Sequence, residues 1–171
     1  MDFTGLQELN SLAADEAEAE FLKCCGSKNW ARQLTAARPC ASLEDLVNKS
    51  DQIWWALGPA DWLEAFHSHP KIGEKKAAAV TAVAAQQWSE DEQSGIRDSA
   101  QQTIQALADL NRAYEEKFGF IFIVCASGKS SEEMLANLRN RLGNNPAEEL
   151  RNAAAEQAKI TRLRLGKLIG E

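Results

Sequence analysis

Gly119-Phe120-Ile121-Phe122-Ile123-Val124-Cys125 is the stretch on which the fold turns. Aromatic and β-branched residues follow one another here between Gly119 and Gly128, which reads as extended chain. No second stretch has this character, and a lone strand has no sheet to join. The expectation is therefore an all-α protein in which residues 120–125 form one buried extended connector, whose backbone N–H groups need partners.

Helices are expected on both sides of it. Upstream, Ser89-Glu90-Asp91-Glu92 has the spacing of a capping box. The helix it opens runs to about Lys117, with Ile96, Ile104, Leu107, Leu110 and Tyr114 as apolar members, and Gly119 closes it. Downstream, Ser130-Ser131-Glu132-Glu133 starts a helix to Leu142, and Pro146 starts the last, to about Leu168. Nearer the N-terminus, helices are expected at Thr4–Asn10, at Ala13–Cys25, from Ser27 or Asn29 toward Arg38-Pro39, and from Ser42. Another runs from Pro59 through Phe66, and an alanine-rich one from Glu74 to Gln87. The sum is a single-domain bundle, residues 1–171, of roughly eight helices.

Composition narrows the function classes. The formal net charge is −6 and the basic residues are scattered, which argues against a nucleic-acid partner. No apolar run approaches the roughly 18 residues needed to cross a bilayer, so no membrane partner is expected. The N-terminus lacks a basic-then-apolar leader and the C-terminus lacks a peroxisomal tripeptide, so the expected location is cytoplasmic. The cysteines, Cys24, Cys25, Cys40 and Cys125, form no C-x-x-C pair and read as small apolar residues.

The chain has two histidines, both in Phe66-His67-Ser68-His69-Pro70. Two residues apart on a helix, they do not share a face, and with no third His nearby a metal site is not expected. They are either polar residues at a helix end, or His69, fixed by Pro70, is a general acid or base. Ser89 and Glu92 are explained by capping alone, although a first helical turn also suits an anion. On the last helix, Ala153, Ile160, Leu163 and Leu168 are expected on one apolar face with Arg164 inside it and Arg162 opposite. Arg164 then needs a protein carboxylate, a bound anion or a route to solvent. The tryptophans read as core, except Trp55, which is expected to face solvent or a second subunit.

These residues, in this order, make the chain resemble the 2-oxo-4-hydroxy-4-carboxy-5-ureidoimidazoline (OHCU) decarboxylases of urate breakdown. The likeness runs through Arg38-Pro39, Trp62-Leu63-Glu64-Ala65-Phe66 and His69-Pro70-Lys71-Ile72-Gly73. It continues through Ser89-x-x-Glu92-Gln93, Leu110-Asn111-x-x-Tyr114-x-x-Lys117-Phe118-Gly119-Phe120 and Leu163-Arg164-Leu165. The chain departs from many members at Ile121 and at Lys71 to Glu74. The resemblance implies an all-helical lyase that needs no cofactor, usually a homodimer, converting OHCU to S-allantoin. It implies catalytic roles for His69, Glu92 and Arg164. It also implies substrate contacts from Pro70, Ser89, Gln93, Phe122, Ile123, Val124, Cys125 and Ala126. Two other functions stand beside it: a helical protein-interaction module using a Trp-rich face, and a related enzyme acting on another small ureide.

Overall fold

The structure, a computed structural model, describes residues 4–69 and 90–171, with side chains over 5–69 and 101–171. Among the described residues there are eight helices and no strand. They are α1 (Thr4–Ser11), α2 (Ala14–Cys24), α3 (Lys28–Ala36), α4 (Leu43–Ala56), α5 (Pro59–His67), α6 (Glu90–Phe118), α7 (Ser131–Leu142) and α8 (Pro146–Leu168). The all-α expectation holds. The helix expected at 74–87 and the cap at Ser89 lie outside the described residues.

Helix starts follow local chemistry. Ser27 caps α3 by accepting from the Trp30 N–H at 3.2 Å, and Ser130 caps α7 through the Glu133 N–H at 3.1 Å. Ser42 caps α4 through the Asp45 N–H at 3.0 Å. The return arm differs from a capping box: Asp45 Oδ2 accepts from the N–H of Ala41, one residue before the cap, at 2.9 Å. Pro59 occupies the first turn of α5, where a missing N–H costs nothing. Gly119, at φ 81°, ends α6 in the left-handed region that glycine enters without strain.

The chain divides into two compact units, residues 1–69 with 154–171, and residues 70–153. In the first, α2 packs on α3 and α3 on α4. Phe21, Trp30, Leu34, Leu46, Phe66 and Leu165 are fully buried there. Trp30 meets Phe21 edge-on at 6.0 Å and donates its indole N–H to Ser50 Oγ at 3.2 Å. Trp54 and Trp62 are also buried, and their N–H groups donate to the Ala154 and Trp54 carbonyls, each at 3.0 Å. These three tryptophans are core. Trp55 is 41% exposed, as expected, with its ring 5.7 Å from that of Trp62. Arg38 clamps the α1–α2 turn by donating to the Leu9 and Leu12 carbonyls at 2.6 and 2.9 Å.

Close approach constrains two glycines in this unit: Gly5, where a Cβ would lie 2.3 Å from the Ile169 carbonyl oxygen, and Gly26. A Cβ at Gly26 would lie 2.2 Å from Ser68 Oγ and 2.4 Å from Ser68 Cβ. Ser68 is the C-cap of α5 and the neighbour of His69. Gly26→Ala is expected to cost about 1–3 kcal/mol in urea unfolding, the usual penalty of overpacking. A midpoint equal to wild type would show that the α5 end can yield.

In the second unit α6 packs on α7. The extended segment 120–125 joins them as non-helical chain, with Phe120, Phe122, Ile123 and Cys125 buried. Tyr114 lies at the centre, its ring 4.6, 5.8 and 5.3 Å from those of Phe118, Phe120 and Phe122. Beside it the Glu149 carboxylate is wholly buried and paired with Arg141 at 2.5 Å.

Candidate active site

Helix α5 ends at His67, and His69 follows two residues later, its N–H donating to the Phe66 carbonyl at 3.2 Å. His67 is exposed and His69 half-buried, so the two rings have different surroundings. His69 Nε2 is hydrogen-bonded to Gln157 Oε1 on α8. Gln157 is fully buried, and its Nε2 donates to Thr161 Oγ1, one turn further on, at 3.1 Å.

The face of α8 differs from the expectation. From Ala153 onward its buried residues are Ala153, Ala154, Gln157, Thr161, Leu165 and Gly166, whereas Leu163 is 45% exposed and Ile160 and Leu168 are half-buried. Two members of the buried stripe are polar and satisfy each other by hydrogen bonding. A stripe counted by hydrophobicity passes over them, which displaced the expected face.

Arg164 is exposed rather than enclosed among apolar residues. Among the described residues no carboxylate pairs with it. Its Nη1 donates to the Cys24 carbonyl at the C-terminal end of α2, a long bond at 3.4 Å, where the helix dipole favours a cation. Arg164 follows Gln157 by seven residues, about two turns, on nearly the same side of α8. The first unit thus brings His69 and Arg164 to one side of a single helix. Arg162, also exposed, points about 160° away from Arg164.

All four cysteines are buried and none forms a disulfide among the described residues. Burial pushes both the Cys24 and Cys25 thiols up to about 11, against the opposing charge of Arg164, so near neutral pH they are protonated and not nucleophiles.

The second unit holds Phe122 to Ala126. Arg141 Nη1 donates to the Ile123 carbonyl at 2.6 Å, and its guanidinium lies 4.5 Å from the centre of the Phe122 ring. In a trans peptide the carbonyl and the next N–H point in opposite directions, so this anchor turns the Val124 N–H away from Arg141. The N–H groups of Phe122, Ile123 and Val124 meet no acceptor among the described residues. Glu92 and Gln93 lie in the first turn of α6, but their side chains are outside the described residues, as are Pro70 and Ser89.

Sequence reading missed Gln157, Arg141 and Glu149. Glu149 stands in the first turn of α8, where an acid is explained by the helix dipole alone. Arg141 is in the last turn of α7, where a base is explained the same way. Only Gln157 left a trace, as a polar residue one turn before Thr161.

Comparison with known proteins agrees with the fold and the motifs. The family model described as OHCU decarboxylase matches residues 10–166. The uric acid degradation bifunctional protein TTL of Arabidopsis thaliana is 38% identical over 94% of this chain, which covers 49% of that protein. The chain thus spans about half the length of that relative, and 32% of a second bifunctional protein from a Bacillus strain. The 2-oxo-4-hydroxy-4-carboxy-5-ureidoimidazoline decarboxylase of Amia calva is 31% identical, with 96% of this chain and 94% of that protein covered. A solved structure of an OHCU decarboxylase, determined in the presence of (S)-allantoin, is 38% identical. It superposes with a TM-score of 0.70 over 89% of this chain and 98% of its own. The chain belongs to the OHCU decarboxylase family.

Proposed function

We propose that this chain decarboxylates OHCU to S-allantoin, as a step in urate breakdown. The observation that carries the proposal is His69, held just beyond α5 by a buried partner on α8, on the side of α8 that bears Arg164. The family, and the likeness to an OHCU decarboxylase solved in the presence of (S)-allantoin, support the substrate class.

The substrate carries a hydroxyl and a carboxylate on one ring carbon, next to a C=N bond. As CO2 leaves, the C–C electron pair moves into the ring and the C=N nitrogen takes a proton, leaving an enol. The hydroxyl proton is then lost as a proton adds to the neighbouring ureido carbon. The ring supplies the electron sink, so the protein's task is orientation and proton delivery to one face. In this reading His69 bonds the hydroxyl and relays its proton. Glu92 orients the ring or ureido N–H groups, with Ser89, Gln93 and Pro70 beside it. Arg164 binds a carbonyl or carboxylate oxygen through charge-assisted hydrogen bonds. The N–H groups of the 122–126 segment receive remaining oxygens, which is supported by three of them having no acceptor among the described residues. The same reading carries one folded domain over 1–171, a homodimer and a cytoplasmic setting. The one domain is supported by a family model that matches residues 10–166; the homodimer and the setting follow from the resemblance alone.

The test is freshly made OHCU with the purified chain, followed by circular dichroism. A stereospecific S-allantoin signal, formed faster than the spontaneous racemic decay, is expected; racemic product at the background rate would sink the proposal. In the same assay Arg164→Ala is expected to lower kcat/KM by about 10- to 100-fold, the loss of a hydrogen bond to a charged group worth about 1.5–3 kcal/mol. Arg162→Ala should stay within about twofold, since that side chain points elsewhere on α8. Equal losses would remove Arg164 from the site.

A further inference from the structure

We propose that Arg141 is a positioning residue. It fixes the peptide between Ile123 and Val124, so that the Val124 N–H is presented as a donor to a substrate oxygen. The inference deepens the reading of the 122–126 segment given above and rests on it for its catalytic meaning.

A guanidinium is a planar fork whose donors leave along different edges. Arg141 uses two of those edges at once. Nε donates to Glu149 Oε1 at 2.5 Å, and Nη2 donates toward the Tyr114 oxygen at 3.4 Å. Nη1 donates to the Ile123 carbonyl at 2.6 Å. The first edge is fixed to the interior of this unit, because Glu149 is wholly buried and is itself held by Tyr114, Asn144 and Asn152. Glu149 therefore aims the guanidinium, and the guanidinium aims the carbonyl.

A second contact stops the segment from turning about that bond. The Phe122 ring lies 4.5 Å from the Arg141 guanidinium and meets the Tyr114 ring edge-on at 5.3 Å. Phe122 and Ile123 are each 3% exposed. Residue 122 is thus gripped through its side chain and residue 123 through its carbonyl. Among the described residues the one cis peptide precedes Pro39, so the 123–124 peptide is trans and its N–H points opposite its C=O.

The Val124 N–H consequently faces away from Arg141. It meets no acceptor among the described residues, and Val124 is only half-buried. Backbone N–H groups away from water are nearly always paired. One that is held in a fixed direction without a protein acceptor is a preorganised donor for oxygen charge. Arg141 itself is turned inward to Glu149, so it acts on the substrate only through this peptide.

The test compares wild type with Arg141→Lys, which keeps a cation beside Glu149 but replaces the fork with a point donor. Proton–nitrogen amide spectra are recorded with and without S-allantoin, the product in the reading above, and OHCU turnover is measured on the same preparations. In wild type the Val124 amide proton is expected to move downfield and to saturate as S-allantoin is added. In Arg141→Lys that shift should be lost. KM for OHCU should rise roughly 3- to 10-fold with kcat within about threefold, the scale of one neutral hydrogen bond. A merely structural role would lower the thermal midpoint without separating KM from kcat. A folded Arg141→Lys variant with the wild-type KM and the wild-type Val124 shift would overturn the inference. If that variant does not fold, wild type decides: a Val124 amide that moves downfield supports the inference, and one that ignores saturating S-allantoin overturns it. The spectra need no turnover, so the two proposals fail separately. A wild type inactive on OHCU whose Val124 amide still answers S-allantoin would end the decarboxylase reading and leave the role of Arg141 standing. An active wild type whose Val124 amide does not respond would do the reverse.

Discussion

Replacing His69 by Asn is expected to lower kcat by on the order of 10²- to 10⁴-fold, the range spanned by a positioned acid–base group. Asparagine keeps a polar side chain of similar reach but cannot gain or lose a proton near neutral pH. The fold should survive the change. His69 lies beyond the last turn of α5, and its backbone N–H, which bonds the Phe66 carbonyl, is untouched. KM should move far less than kcat, because in the proposed mechanism His69 moves a proton rather than holding the substrate's charged oxygens. The measurement is stereospecific S-allantoin formation above the spontaneous decay of OHCU, with unfolding by urea as the control. Near-normal turnover in a folded His69→Asn variant would remove histidine from the mechanism. The exposed His67 supplies the contrast: His67→Asn should leave the rate within about twofold.

The largest stability effect is expected at Glu149. Its buried carboxylate accepts from the Tyr114 hydroxyl at 2.6 Å, Arg141 Nε at 2.5 Å, Asn144 Nδ2 at 3.0 Å and Asn152 Nδ2 at 3.2 Å. The Arg141 side chain is only 12% exposed, so its charge is compensated mainly by this partner. Burial, together with the carboxylate as hydrogen-bond acceptor, pushes the Tyr114 phenol far up, so it remains a donor under ordinary conditions. Glu149→Ala leaves a buried cation without its partner and is expected to cost about 3–5 kcal/mol in urea unfolding. A loss under about 1 kcal/mol would mean that water or a rearranged side chain replaces the carboxylate readily. Arg141 also anchors the Ile123 carbonyl, so the milder Glu149→Gln variant should raise KM through a loosened 122–126 segment, wherever enough folded protein remains to assay.

The candidate site was unevenly legible. His69 stood out because histidine is scarce in this chain and because Pro70 marks a helix end. Arg164 was expected inside the apolar face and is instead exposed, near the end of α2. Helical spacing gives a direction around an axis, but does not say how deep a neighbouring element covers it. Glu92 and Ser89 carry the spacing of a cap, and spacing alone does not divide capping from substrate contact. The extended segment was legible by composition, but its anchor was not. Nothing near residue 123 signals that Arg141 will bond its carbonyl.

The sequence by itself determined the family and, among the described residues, the helices and nearly all of their starts and stops. Those features rest on contacts between near neighbours, such as the Ser27, Ser42 and Ser130 caps, each of which bonds an N–H three residues along. Only the tertiary structure decided that Gln157 meets His69, 88 residues away, and that Glu149 pairs with Tyr114 across 35. Short-range hydrogen bonds are dictated by the residues beside them. Pairs this distant are selected by how helices pack, because a buried polar group takes whichever partner the packing brings within reach.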